Sequence, residues 1–528
     1  MNSTASAQRE SPRIELRGIT KIYPSVVANK DISFAAWPGE IHAVLGENGA
    51  GKSTLMKIVY GVVKADAGQI LWEGKPVVVA NPAHARQLGI GMVFQHFSLF
   101  ETLTVVENVA LALPGKPALA PLAKRITEVS ERYGLPIDPR RRVHSLSVGE
   151  RQRVEIIRCL LAEPRLLIMD EPTSVLTPQA VRKLFDTLRQ LSAEGRTILY
   201  ISHKLDEIQA LCTDATVLRA GVVTGHCDPR NETPQSMARM MIGNDLPHPQ
   251  HGAATPGVAR LELVGLSRKS PEPFGTDLID IDLVVRAGEI VGIAGVSGNG
   301  QQELLAAISG EMRIRKRGQL RLCGAAAGRF SAARRRKLGL CFVPEERLGR
   351  GAVPDMSLAE NALLTAHRRG FVKSGLIRFK AVARFAQACI EKFAVKCAGP
   401  HAEANSLSGG NLQKFIVGRE ILQQPQVLVV AQPTWGVDVG AAAFIRQKIV
   451  DLRNDGVAIL VVSEELDELF EVSDRLAVLA KGRLSPIKPI RDTNVEEVGV
   501  WMSGMWPDAP SAVHADLARE ELKHAAQA

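Results

Sequence analysis

The chain has 528 residues, 45% of them hydrophobic and 23% charged, and a formal net charge of +9. That balance excludes a disordered or fibrous protein and supplies enough chain for several folded domains. Seven cysteines without a C-x-x-C pair argue against a zinc module or a disulfide scaffold, and aromatic residues at 5% argue against a base-stacking nucleic-acid surface.

Residues 1–12 are polar and lack the apolar stretch of a signal peptide. No apolar run approaches the roughly 18–20 residues of a membrane span. The expectation is a protein that stays in the cytosol, at most on a membrane surface. Tyr23, in ITKIYP, precedes the first core strand and could stack on adenine; the plainer reading is a half-buried strand tyrosine. EIHAVLG (40–46) reads as a short apolar strand, GENGAGKST (46–54) fits G-x-x-x-x-G-K-[ST], and TLMKIVYGV (54–62) continues as a helix. Such a loop turns its N–H groups toward phosphate oxygens at a helix N-terminus. Its candidate nucleotide contacts are Gly46, Glu47, Asn48, Gly49, Ala50, Gly51, Lys52, Ser53 and Thr54. Lys52 should reach the β- and γ-phosphates and Ser53 should hold Mg²⁺.

Further along, Gln95 ends an apolar strand and could touch Mg²⁺ or the attacking water. LLIMDEP (166–172) is four apolar residues ending in two carboxylates, the pattern of a buried parallel strand whose carboxyl end faces a ligand. Asp170 would support Mg²⁺, and Glu171 would face the γ-phosphate and align the water. His203, after the strand TILYIS, could donate to the γ-phosphate.

The second half repeats the first. PGEIHAVLGENGAGK (38–52) matches AGEIVGIAGVSGNGQ (287–301) at an offset of 249, and GMVFQ (91–95) matches CFVPE (341–345) at 250. LSVGERQ, LLIMDEPTSVLT and ISHKLDEI match LSGGNLQ, VLVVAQPTWGVD and VSEELDEL at 261. About 11 extra residues therefore lie between the second and third matches of the second copy, in a segment that reads as helical. The expected domains are 13–243 and 259–505, joined by a short exposed linker at 244–258, with a weakly ordered tail at 506–528 whose second half could be helical. Basic clusters at 140–142, 313–317 and 334–337 read first as solvated surface, then as sites for anionic lipid or nucleic acid.

The order of phosphate loop, Gln, LSGG-type segment, apolar strand ending in Asp-Glu, then His resembles the ATP-binding cassette (ABC) ATPases, over about residues 13–505. The resemblance implies an α/β fold of two tandem P-loop cassettes, each with a RecA-like core, an antiparallel β-subdomain and a helical subdomain. It also implies cassettes facing head to tail, so that Ser408, Gly409 and Gly410 complete the ATP site built on Lys52, and Ser147, Val148 and Gly149 complete the one built on Gln301. In the second copy Gln301 and Gln302 replace Lys and Ser, Glu345 stands at the Gln95 position, Ala431 and Gln432 replace Asp-Glu, and Glu464 replaces His203. Val148 and Glu150 alter the signature segment of the first copy, and Thr177 departs from the Asp that the second copy keeps at Asp438. The lesions fall in one composite site and spare the other.

Such asymmetric double cassettes resemble the ATPase subunits of bacterial importers for simple sugars and nucleosides. Their implied cofactors are ATP and Mg²⁺. Their implied partners are two membrane permease subunits and an extracytoplasmic substrate-binding protein, with the ATPase peripheral on the cytoplasmic face of the inner membrane. No nucleic acid and no homodimer are needed. QHFSLFETLTVVENVAL (95–111) and AQPT (431–434) look more like the nucleoside-type, basic-membrane-lipoprotein-associated subgroup, although Trp435 stands where an arginine is common. The alternative is a soluble two-cassette ATPase acting on ribosomes or nucleic acid, against which stands the short Pro/Gly-rich linker.

Overall fold

The computed structural model describes residues 11–507 apart from 25, 48, 95–97, 114, 116, 147, 174–175, 203, 244–248, 253–255, 273–274, 368 and 438. The chain forms two compact units, residues 1–246 and 247–528. In the first unit, a mixed sheet runs Val222–Cys227, Asp214–Arg219, Ile41–Gly46, Thr197–Ile201, Leu166–Asp170 and Ile90–Val93. Ile41–Gly46 lies parallel to both neighbours, with Ala43 opposite Tyr200 and Ala215. A smaller antiparallel sheet orders Val26–Ala36, Ile14–Tyr23, Ala67–Trp72 and Lys75–Val77. In the second unit, Leu340–Val343, Val427–Ala431, Ala458–Ser463, Ile290–Ala294, Arg475–Ala480 and Arg483–Leu484 follow the same spatial order read from the opposite edge, beside an antiparallel sheet of Leu278–Arg286, Ala259–Arg268, Leu320–Leu322 and Ala325–Ala326. The sequence repeat is thus a repeat of topology.

Each central strand is buried throughout and mostly apolar because helices or a second sheet cover both faces. Along Val427–Ala431, Val427, Val429 and Ala431 pack with Leu304, Ile308 and the antiparallel sheet. Leu428 and Val430 point the other way, into a cluster with Phe415, Ile445 and Ile449. Side chains alternate across a strand, so every residue in such a run is core. Burying each Val or Leu contributes about 1.5–3 kcal/mol.

The segment that carries the extra residues of the second copy is helical, as expected, with a short hairpin between its helices. The helix pair Val105–Ala112 and Leu119–Arg132 is joined by residues 113–118, whereas its counterparts Leu358–Ala366 and Phe379–Lys392 are joined by residues 367–378, and that doubled connection forms a hairpin of Val372–Lys373 with Leu376–Ile377. The basic cluster at 334–337 is not plain surface. Arg335 is fully buried, and its guanidinium donates to the carbonyls of Ile308 (2.7 Å), Gly328 (2.9 Å) and Ala307, while Arg336 pairs with buried Glu420 at 2.7 Å. The described part of the linker is exposed but tied to the second unit. Gln250 N–H donates to Gln447, Gly252 N–H to Asn454 (both 3.2 Å), and Arg453 to the Gly252 carbonyl (2.6 Å). The reading of the tail beyond 507 falls outside the described residues. Among the described residues no helix is long and apolar enough to cross a membrane.

Candidate active site

The strand Ile41–Gly46 ends in a loop that feeds the helix Lys52–Val59. Gly51, the residue before the helix, sits at φ 97°, and a Cβ there would lie 2.2 Å from the Ala28 carbonyl oxygen. Gly46 is equally constrained, its absent Cβ lying 2.4 Å from the Leu218 carbonyl oxygen. The glycines let the loop close onto its neighbours, and the Asn29 amide donates to the Gly51 carbonyl at 3.2 Å. Glu47, Gly49 and Ala50 complete the turn, the Ala50 N–H donating to the Glu47 carbonyl at 3.0 Å.

Lys52 is buried, and its ammonium donates to the carbonyls of Gly46 (2.6 Å) and Glu47 (3.0 Å). An ammonium has three donors. The third takes no partner among the described residues, so the loop holds a desolvated cation with a donor in reserve. Burial lowers the lysine below its ordinary value, against the opposing pull of Glu171, Asp170 and Glu47. Ser53 and Thr54 lie in the first helical turn, with Ser53 near enough to Asp170 to lower its carboxyl slightly. Asp170 is buried at the end of Leu166–Asp170, where burial and then Glu171 push it up to about 6 despite Lys52. A carboxylate forced into a dry site beside a hydroxyl is a hard oxygen donor set suited to Mg²⁺. Both observations fit a magnesium–triphosphate ligand.

Glu171 turns sharply out of the strand, at φ 47°, and its N–H donates to the Ile201 carbonyl at 2.9 Å. Non-glycine residues enter that left-handed region at a cost, so neighbouring structure must hold the bend. Tyr23 ends Ile14–Tyr23 with its ring 37% exposed and the Lys21 ammonium 5.6 Å from its centre. Asn48, Gln95, His203, Ser147 and Asp438 lie outside the described residues.

The matching cleft of the second unit is lined by Gly295, Gln301, Gln302, Glu345, Gln432 and Glu464 among others, with no lysine or arginine among the described lining residues. The Gln301 amide donates to the Val296 carbonyl (2.9 Å) much as Lys52 does to Glu47, while its oxygen accepts the Asn299 N–H (3.0 Å). Both polar atoms of its amide are thus engaged inside the loop. Gln432 repeats the bend at φ 46°, but its side-chain oxygen accepts the Glu464 N–H at 3.2 Å and the Ser463 hydroxyl at 3.3 Å. Burial raises Glu345 above its ordinary value. Also in this unit, Ser408 and Gly409 are exposed ahead of the helix Gly409–Ile421, whose Gly410 is buried. The Ser408 hydroxyl accepts from Asn411 at 2.8 Å.

Sequence reasoning missed one recurring residue. Glu207 accepts hydrogen bonds from Thr173 (2.7 Å), Tyr200 (2.9 Å) and Ser202 (3.4 Å). Its counterpart Glu468 accepts from Thr434 (2.6 Å) and Ser463 (2.7 Å). Each carboxylate ties the loop after the acidic strand to the end of the next strand. The signal was the LDE shared by ISHKLDEI and VSEELDEL. Burial, then Glu465, pushes Glu468 up to about 7. A raised acid keeps its proton in the folded state after the unfolded chain has lost it, so its stabilising effect is complete below pH about 4.5 and disappears as pH rises through about 7. Glu468→Gln is expected to flatten the fall in thermal midpoint between pH 5 and 8. An unchanged pH slope would show that Glu468 is not its source.

Two phosphate-loop units of one topology, one of them with the lysine, serine and carboxylates of a phosphate site, define a P-loop ATPase. The ABC transporter family profile matches residues 29–174 and 278–435. The chain is 39% identical over 498 residues to the nucleoside import ATP-binding protein NupA of Lactococcus lactis subsp. cremoris, covering 93% of this chain and 98% of that one. It is 38% identical to the guanosine import ATP-binding protein NupO of Bacillus subtilis, over 93% and 97% of the two chains. A structure of archaeal ribosome recycling factor aABCE1 with ribosomal stalk protein aP1 matches with a TM-score of 0.61 and 19% identity over 90% of each chain, a likeness of fold alone. The chain belongs to the ABC transporter ATP-binding family and is an ATPase.

Proposed function

We infer that this ATPase energises an importer for nucleosides or simple sugars, with nucleosides favoured. The names of its relatives, which import nucleosides or guanosine, support that reading. The observation that carries the rest is the asymmetry of the two units. Lys52, Ser53, Asp170 and Glu171 converge in one, while Gln301, Gln302, Ala431 and Gln432 supply neither cation nor carboxylate in the other.

Lys52 would hold the β- and γ-phosphates, with the loop N–H groups around them. Ser53, Asp170 and Gln95 would hold Mg²⁺, whose charge would offset that of the triphosphate. Glu171 would align the attacking water and accept its proton, His203 would donate toward the γ-phosphate, and Tyr23 would stack on adenine. The LSGG sequence supports Ser408, Gly409 and Gly410 as the residues that complete this site, leaving the other composite site degenerate. Two permease subunits and an extracytoplasmic binding protein would be the partners, with the chain peripheral on the cytoplasmic face of the membrane.

The test is the stoichiometry of ATP binding to Glu171→Gln protein, measured by equilibrium dialysis with Mg²⁺. One tight ATP per chain is expected. Two of equal affinity would remove the degenerate site, and copurification with ribosomes instead of permeases would remove the importer.

A further inference from the structure

The hairpin in the doubled connection has no counterpart among the described residues of the first unit. Val372 faces Ile377 and Lys373 faces Leu376 across a two-residue turn. Ser374 and Gly375 both take positive φ, 51° and 80°, the pattern of a type I′ turn that holds a hairpin tight. Its base is anchored. The Arg378 N–H donates to the Phe371 carbonyl at 2.8 Å, and Phe371 packs on Phe385 with ring centres 5.3 Å apart. Beyond that anchor both faces are bare. Leu376 is 75% exposed and the adjoining Phe379 70%, with Val372 and Ile377 each at 40%. A two-stranded hairpin uncovered on both sides is not a self-supporting element, and clustered exposed apolar side chains mark a contact surface.

The surrounding charge is of one sign. Residues 361–390 contain six Lys or Arg and no Asp or Glu. Lys373, Arg378 and Lys380 make no ion pair among the described residues. Apolar and aromatic tips set among unpaired cations match the interface of an anionic bilayer, where rings and aliphatic groups enter the headgroup boundary and cations meet lipid phosphates.

We propose that this hairpin contacts an anionic lipid surface directly, independently of any permease and of the cargo. Full-length protein is expected to co-sediment with vesicles of 70% phosphatidylcholine and 30% phosphatidylglycerol, and only weakly with pure phosphatidylcholine. Changing Lys373, Arg378 and Lys380 together to Gln should weaken binding about a hundredfold, at about fivefold per cation. Leu376→Ser with Phe379→Ser should weaken it at least about tenfold. The same loss of charge at exposed Arg313, Arg315 and Arg317 is the control, expected to stay within about threefold, and unchanged thermal midpoints exclude unfolding. Failure of the wild type to bind these vesicles overturns the proposal. So does retention of binding by both hairpin variants, or an equal loss in the control. Hairpin-dependent binding to membrane extracts without binding to protein-free vesicles would assign the surface to a protein partner and overturn the lipid reading.

Discussion

Replacing Glu171 by Gln is expected to lower ATP turnover by about 10²–10⁴-fold while leaving ATP binding intact. The strand Leu166–Asp170 is buried along its whole length, so the residue after it is placed by packing rather than by its own charge. Gln keeps the size and the backbone bend held by the Ile201 carbonyl. What disappears is a carboxylate able to orient water and take a proton. The matching change, Gln432→Ala, should leave the rate within a few-fold, because that amide is already spent on Ser463 and the Glu464 backbone. Steady-state phosphate release distinguishes the two. A comparable collapse from both would mean that the two clefts share the chemistry.

Lys52→Ala should act one step earlier, on affinity. The ammonium is the cation that Asp170 and Glu171 face inside the first unit. Removing it leaves two carboxylates near a triphosphate with no opposing charge from the loop. Loss of a charge-assisted contact of this kind should weaken ATP binding about 10²-fold in a titration with a fluorescent ATP analogue. The reverse experiment should fail. Gln301→Lys restores a cation in the second loop, yet Glu345 and Glu464 still line that cleft and Ala431 offers no metal ligand. No second tight site is expected; its appearance would mean that a single side chain separates the units.

Where burial along a strand decides the structure, the sequence was easily read. VLVVA and LLIM are too short for helices and apolar throughout, and both lie in interior strands of their sheets. The phosphate loop was legible because its glycines and lysine answer to local geometry. Arg335 was opaque, since the carbonyls that accept from it belong to Ala307, Ile308 and Gly328, which only folding gathers around it. The hairpin at 372–377 is not legible in the sequence, because the long helices on either side dominate the local pattern. The Glu207 and Glu468 ties were visible as a repeat, but nothing local says that a glutamate in a helical turn reaches a threonine beyond the preceding strand.

The left-handed bend at the strand end survives at Gln432, with its N–H still held by the Val462 carbonyl at 2.8 Å. That contortion therefore belongs to the architecture and not to the reaction. A lineage that inherits it can discard reactive side chains one at a time, with no refolding required between steps. A duplicated unit of this build can thus change the side chain at the bend while keeping the scaffold that placed it.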